Sequence, residues 1–365
     1  GSFCVFLASL LQAAGFRTGR FSSPALCDIT ETISVNGEEI SKEEFARLIA
    51  RLRPFAEEQT DRPTEFELLT VAALLYFREQ NCDYVILECG MGGLTDATNV
   101  ISRPRLSVIT GVSSDHTSFL GNTVAEISRQ KAGIIKQHCP TLWCGSDPTA
   151  EAEIRKTALQ NNSPVYTVPI DTLKIKNADL SGTVFDFDGY KDLFLSMLGL
   201  YQAQNAANAL TALKLLGVSP SLSQVTEGLR SARWKGRFEL LSANPVLIAD
   251  GGHNEEGVDK AVESIEAYFP ERKVTFVSGI LADKDYSAVA RCMAAVADHV
   301  YTVTPPNPRA LPAEEFALVF RSLGVSATPC HSVKEAVDCA LSRGVPAVCL
   351  GSLYTYGEIL GALKK

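Results

Sequence analysis

Five short stretches of this 365-residue chain carry residue types able to do phosphate, metal or acid–base chemistry. Gly1-Ser2 leads straight into an apolar run. A serine there can simply cap a helix, or it can be the end of a G-x-x-x-x-G-K-S/T phosphate loop, whose hydroxyl binds Mg²⁺. Glu88 closes an apolar strand pattern and opens the turn Gly90-Met91-Gly92-Gly93. A carboxylate on such a rigid element is the oxygen donor a hard cation takes, and the same position also suits a glutamate that faces water. Asp115-His116 follows a second strand pattern, where His116 is either a ligand or a loop histidine with ordinary partners. Lys131, in RQKAGI, reads locally as a solvent-facing helix lysine. In Asp250-Gly251-Gly252-His253-Asn254 the acid can take ribose hydroxyls, the glycines allow close approach, and the helix that follows offers its amino terminus to phosphate. No Ser/His/Asp or Cys/His nucleophile set stands out.

These candidates need elements to hold them, and Val/Ile/Leu-rich strands alternating with amphipathic helices supply the pattern of parallel sheets covered on both faces. Strands are expected at Tyr84 to Leu87 and Leu106 to Thr110, then at Val246 to Ala249, Lys273 to Val277, Val300 to Val303 and Ala347 to Leu350. Helices are expected over Glu255 to Phe269 and over the apolar stripe that begins at Phe3 and ends at Gly15. The expected fold class is α/β: a doubly wound, mostly parallel sheet domain over 1–233, followed by a smaller Rossmann-like α/β domain over 234–365; the resemblance described below makes the first of P-loop type. The boundary falls in SARWKGR, and 173–198 reads as a hairpin excursion from the first domain.

Composition narrows the function classes. With 34 Lys and Arg against 42 Asp and Glu, a net charge of -8 and no basic cluster, a nucleic-acid partner is not expected. The ten cysteines lack paired C-x-x-C spacing and read as reduced thiols of a cytoplasmic protein. The uncharged run from Phe3 to Phe16 is too short to span a bilayer, so no membrane association is expected. A hydrophobic share of 46% with 21% charged residues excludes a disordered chain.

The stretches SSPAL, ISVNGEEIS, ECGMGGLTDATNV, SDHTSFLG, QKAGIIK, YQAQNAANAL, ARWKGRFELL, ADGGHNEEG, GILADKDY, PRALPAEE and GSLY run in order from residue 22 to residue 354. Together they resemble the folylpolyglutamate synthase / dihydrofolate synthase family of the Mur ligase superfamily. The resemblance implies a cytoplasmic, monomeric, ATP- and Mg²⁺-dependent amide ligase acting on small molecules: ATP, a folate or dihydropteroate carboxylate, and L-glutamate. It implies that the larger domain holds the phosphate loop and folate pocket while the smaller one closes over ATP and binds glutamate. It gives Gly1 and Ser2 to the phosphate loop, makes Ser2, Glu88 and His116 the Mg²⁺ ligands, and makes Lys131 a lysine that becomes carbamylated and works with His116 in catalysis. Asn205, Arg237, Asp250 and His253 become nucleotide contacts; Ser23, Pro24, Asp96 and Ala97 become contacts of the pterin-bearing acceptor. Another Mur-type amino-acid ligase and a catalytically silent nucleotide-binding homologue are the rival readings.

Three departures qualify the pattern. Of the family's Gly-Thr-Asn-Gly-Lys-Gly-Ser loop only Gly1-Ser2 can be matched, and without the loop lysine phosphate activation is not expected of these 365 residues. Leu94 stands where the family usually has arginine, and Ala25 where histidine is common.

Overall fold

The computed structural model describes residues 1–112 and 120–364, and they fall into two compact units. The first comprises 1–174, 187–193 and 204–232; the second comprises 175–186, 194–203 and 233–365.

In the first unit, helix α1 (Ser2–Ala13) buries Phe3, Val5, Phe6, Leu7, Leu10 and Leu11. It stops where the chain turns through Gly15 at φ +96°, a conformation that costs glycine nothing. Strand β1 (Thr18–Phe21) then pairs antiparallel with β2 (Ile33–Val35) on one side. On the other side it runs parallel to β4 (Tyr84–Leu87), with Phe21 opposite Leu87. With the short β3 (Glu38–Glu39) the order is β3-β2-β1-β4. Helices α2 (Lys42–Glu58) and α3 (Glu65–Glu79) complete a core of Phe21, Ile33, Val35, Leu48, Leu69 and Phe77. Helix α3 starts at a capping box in which Thr64 and Glu67 satisfy each other's backbone donors.

A second sheet of this unit, β5 (Ser107–Ile109), β6 (Thr141–Trp143) and β7 (Val165–Thr167), is wholly parallel. Helices α4 (Val124–Ala132) and α5 (Pro148–Gln160) supply the crossovers, and Ile109, Trp143, Ala150 and Ile154 pack between them. The strands expected to form one doubly wound sheet are therefore divided between two, and the first carries antiparallel strands at its edge.

Strands β8 (Lys174–Asp179), β9 (Gly182–Phe187) and β10 (Tyr190–Leu195) form a three-stranded sheet where the sequence suggests a hairpin excursion. Residues 175–186 and 194–203 group with the second unit, not with the first. Helices α6 (Tyr201–Leu215) and α7 (Leu222–Ser231) follow.

The second unit is built on a six-stranded sheet, β11-β12-β16-β13-β14-β15. Its strands are β11 (Glu239–Ala243), β12 (Val246–Asp250), β13 (Val274–Ser278), β14 (Ala297–Thr302), β15 (Ala327–Pro329) and β16 (Ala347–Leu350). Only β11 is antiparallel to its neighbour. Strands β13 and β16 are buried from end to end and β12 at all but its first residue, as their largely apolar runs require. Val258, Ile265, Phe276, Phe316 and Phe320 anchor the core between sheet and helices, which include α8 (Glu255–Tyr268). No helix among the described residues is long and apolar enough to cross a membrane.

Candidate active site

Glu88 is the first residue past β4, and its amide donates to Phe21 O (3.0 Å), extending the parallel ladder by one bond. The carboxylate is thus carried on the carboxyl end of a paired strand, where open α/β sheets gather ligands. The Gly1 nitrogen donates to Glu88 Oε1 (2.5 Å), so the start of α1 and the end of β4 meet. Glu88 Oε2 is buried and has no hydrogen-bond partner. Burial, and next the charge of Glu88, pushes the neighbouring Cys4 thiol up to about 12, which keeps it protonated at neutral pH. Burial also pulls the Arg20 guanidinium down while Glu88 opposes that shift. Arg20 Nη1 donates to Ser22 Oγ (2.5 Å) just beyond β1.

The glycine turn after Glu88 exists to let backbones touch. A side chain at Gly93 would put its Cβ 3.0 Å from Lys131 O, and one at Gly133 would meet Leu94 Cα at 2.4 Å. Leu94 N donates to Gln130 O (2.9 Å), and Asn99 Nδ2 bridges Leu94 O and Gly133 O (3.1 Å each). The turn is thereby fastened to the last residues of α4, which bring Lys131 to the cavity that Glu88 lines. That cavity, about 710 Å³, is also lined by Gly1, Cys4, Cys89, Thr98, Asn99 and Arg103, all from the first unit. Gly133→Ala is expected to destabilise the chain by roughly 1–3 kcal/mol through overpacking against backbone. A denaturant midpoint equal to the wild type's would contradict this close approach.

The second unit assembles a separate cluster at the carboxyl end of β12. Asp250 Oδ1 accepts from Gly252 N (2.7 Å), while Oδ2 accepts from Tyr201 Oη (2.9 Å) and Phe238 N (2.8 Å). Phe238 is fully buried with φ +45°, a left-handed conformation that costs a bulky residue about 1 kcal/mol. Gly236, at φ +64°, donates to Glu239 Oε2 (2.7 Å) and accepts from Gly251 N (2.9 Å). Arg237 sits between these two fixed residues, and its Nη1 lies 3.2 Å from where a Gly251 Cβ would be. The His253 ring donates from Nδ1 to Gly251 O (2.9 Å).

The sequence-derived candidates divide accordingly. Gly1, Glu88 and Lys131 share one cavity, with Ser2 opening α1 beside it. Arg237, Asp250 and His253 lie together in the second unit. Asn205 is on α6, in the part of that helix grouped with the first unit. Ser23 and Pro24 follow β1 at the same sheet end as Glu88, outside the cavity lining. Asp96 caps the short helix Ala97–Val100 and takes Met91 N (2.9 Å), so its carboxylate braces the glycine turn. Asp96 and Ala97 do not line the cavity, whereas Thr98 and Asn99 do. His116 lies outside the described residues. Reading by motif overlooks Arg20, Asn99 and Arg103; the charge of Arg20 within an otherwise buried strand is the one signal that could have exposed it.

Among the described residues no three His, Cys, Asp or Glu side chains gather as a metal cluster. The orphaned Glu88 Oε2 nevertheless fits a hard cation, since a buried carboxylate oxygen without a donor is costly unless a positive charge satisfies it.

Comparison with known proteins gives this arrangement its class. The Mur ligase middle domain matches residues 25–213, and the Mur ligase glutamate ligase domain matches residues 236–349. The two units thus belong to a Mur-type ligase. The chain is 35% identical to the dihydrofolate synthase/folylpolyglutamate synthase of Bacillus subtilis, over 100% of its own length and 88% of that protein's. The folylpolyglutamate synthase of Mycobacterium tuberculosis, solved with ADP and AMPPCP, superposes with a TM-score of 0.92 at 26% identity, covering 100% of this chain and 88% of that one. A bifunctional folylpolyglutamate synthase/dihydrofolate synthase with Mn, AMPPNP and L-glutamate bound gives 0.87 at 30% identity, covering 100% and 87%. The chain belongs to the folylpolyglutamate synthase / dihydrofolate synthase family. It is an ATP-dependent glutamate ligase.

Proposed function

We propose that the ligase carrying these residues joins L-glutamate to the carboxylate of dihydropteroate or of a reduced folate, as a cytoplasmic monomer, with its chemistry centred on the cavity of Glu88 and Lys131. The observation that carries the site is the buried, unpartnered Glu88 Oε2 in a cavity it shares with Lys131. Ser2, Glu88 and His116 would hold the Mg²⁺, which neutralises charge on the transferring phosphoryl group when bound. A carboxylate is too poor an electrophile to meet an amine directly. ATP converts it to an acyl phosphate, and the amine of glutamate then displaces phosphate through a tetrahedral intermediate. No side-chain nucleophile is required, so the residues work by positioning and charge neutralisation. The family resemblance gives nucleotide contacts to Gly1, Ser2 and Asn205 in the first unit and to Arg237, Asp250 and His253 in the second. Ser23, Pro24, Asp96 and Ala97 approach the acceptor. Ten free cysteines support a reducing compartment.

Phosphate release by the full-length protein tests the reading. Release that requires L-glutamate together with dihydropteroate or tetrahydrofolate is expected; release with a cell-wall precursor acceptor instead, or with none, would replace it. Arg237→Ala is expected to raise the KM for ATP about tenfold, as loss of a charged hydrogen-bond fork implies, while the KM for the folate acceptor stays within about twofold. If only the folate parameter moves, Arg237 does not serve the nucleotide.

A further inference from the structure

Asp250 is expected to contact the nucleotide, yet three of its four acceptor positions already serve the protein. Oδ2 is filled by Tyr201 Oη and Phe238 N, and Oδ1 takes Gly252 N, which leaves one lone pair for a ligand. The bond to Phe238 has a specific consequence. Phe238 is held at φ +45° in a fully buried setting, and the residue two positions back, Gly236, is fixed through both its amide and its carbonyl. With the backbone fixed on either side, Arg237 lays its guanidinium across Gly251, Nη1 lying 3.2 Å from where a Cβ would stand. A Cβ on Gly251 would lie 2.0 Å from Leu353 Cδ2, so the glycine keeps this passage open.

Tyr201 is itself immobilised. Gly199 N donates to Tyr268 Oη (2.8 Å) and Leu200 N to Ser264 Oγ (3.0 Å), which seats the residues before Tyr201 on α8. All of these groups belong to the second unit. Burial, and then the charge of Asp250, drives the Tyr201 hydroxyl well above its ordinary range, so it remains a neutral donor.

We propose that Tyr201 is a positioning residue for nucleotide binding: its hydroxyl fixes Asp250, Asp250 fixes the Phe238 backbone, and that backbone aims the Arg237 guanidinium. The inference rests on the reading of Arg237 as a nucleotide contact and adds the device that orients it. Nothing in the sequence motif distinguishes Tyr201 from a packing aromatic.

The test uses Tyr201→Phe in the full-length protein, which removes one oxygen and leaves the ring. ATP affinity is measured by calorimetry, and amide exchange is followed over 236–239. The Kd for ATP is expected to rise about five- to tenfold, and Phe238 N–H to exchange faster, while the KM for glutamate holds within about twofold. In an Arg237→Ala background the same substitution should change the Kd by less than about twofold, because the two residues act in series. Unchanged ATP affinity in Tyr201→Phe, unchanged exchange at 236–239, or effects that multiply in the double variant would each overturn the proposal. If Arg237→Ala alone leaves ATP affinity intact, the nucleotide reading of Arg237 fails, a result separable from failure of the Tyr201 relay.

Discussion

Replacing Lys131 by alanine is expected to lower ligase turnover on the order of 10³-fold while leaving the fold in place. The fold should survive because the backbone contacts this residue makes do not depend on its side chain. Lys131 O meets Gly93 closely whatever the side chain, α4 starts from the Thr123–Glu126 capping box, and alanine is a better helix former than lysine. Activity should not survive, because the lysine lines the same cavity as the orphaned Glu88 oxygen.

The proposed chemistry sharpens this expectation. A bare ammonium would repel Mg²⁺ and the cations around ATP, whereas the neutral amine can add CO₂, lose a proton and become a carbamate with two anionic oxygens. Lys131→Arg then separates the two roles, since arginine retains the positive charge and cannot form the carbamate. Lys131→Arg is expected to be as inactive as Lys131→Ala, and added formate or acetate should partly restore the alanine variant by standing in for the carbamate. Full activity in Lys131→Arg would show that a cation is what the site needs. Full activity in Lys131→Ala would remove the residue from the mechanism.

Much of the frame was legible from the chain because the second unit obeys a simple rule. Strands buried on both faces read as unbroken apolar runs, and Val246–Asp250, Val274–Ser278 and Ala347–Leu350 lie within a residue or so of their expected positions. Helix α1 likewise follows from its apolar stripe and Gly15. What could not be read was adjacency over long sequence distances. Tyr201 and Asp250 are 49 residues apart, and only the fold makes them partners. The same holds for residues 175–186 and 194–203, which resemble an excursion of the first domain in sequence yet pack with the second unit. Of the site, the glycine turn after Glu88 was visible as a motif, but its purpose was not. Gly93 and Gly133 matter because two backbones come within side-chain distance of each other, a fact of tertiary packing. Leu94, conspicuous as a departure from the family pattern, turns out to be exposed, with its backbone holding α4 through Gln130 O.

Glu88→Gln should lower activity and the response of stability to metal. Glutamine keeps the shape, and its carbonyl oxygen can still accept the Gly1 nitrogen that Oε1 now takes. The change falls on Oε2, which is buried with no donor. In chelator the glutamine variant is expected to melt at the temperature of the wild type or a few degrees lower, because it gives up the ion pair between the Gly1 ammonium and Oε1 and sets an amide donor where the buried Oε2 has no partner. With Mg²⁺ the gap widens. A ligand that binds only the folded state stabilises it by RT ln(1 + [L]/Kd), so the wild type should gain melting temperature with Mg²⁺ and Glu88→Gln should gain little. Turnover at limiting Mg²⁺ should fall by about 10²-fold or more, since an amide offers a hard cation a dipole where it needs a charge. An equal Mg²⁺-induced shift in both proteins, or unchanged turnover in the variant, would show that Glu88 is not a metal ligand, and the buried oxygen would then require a different partner.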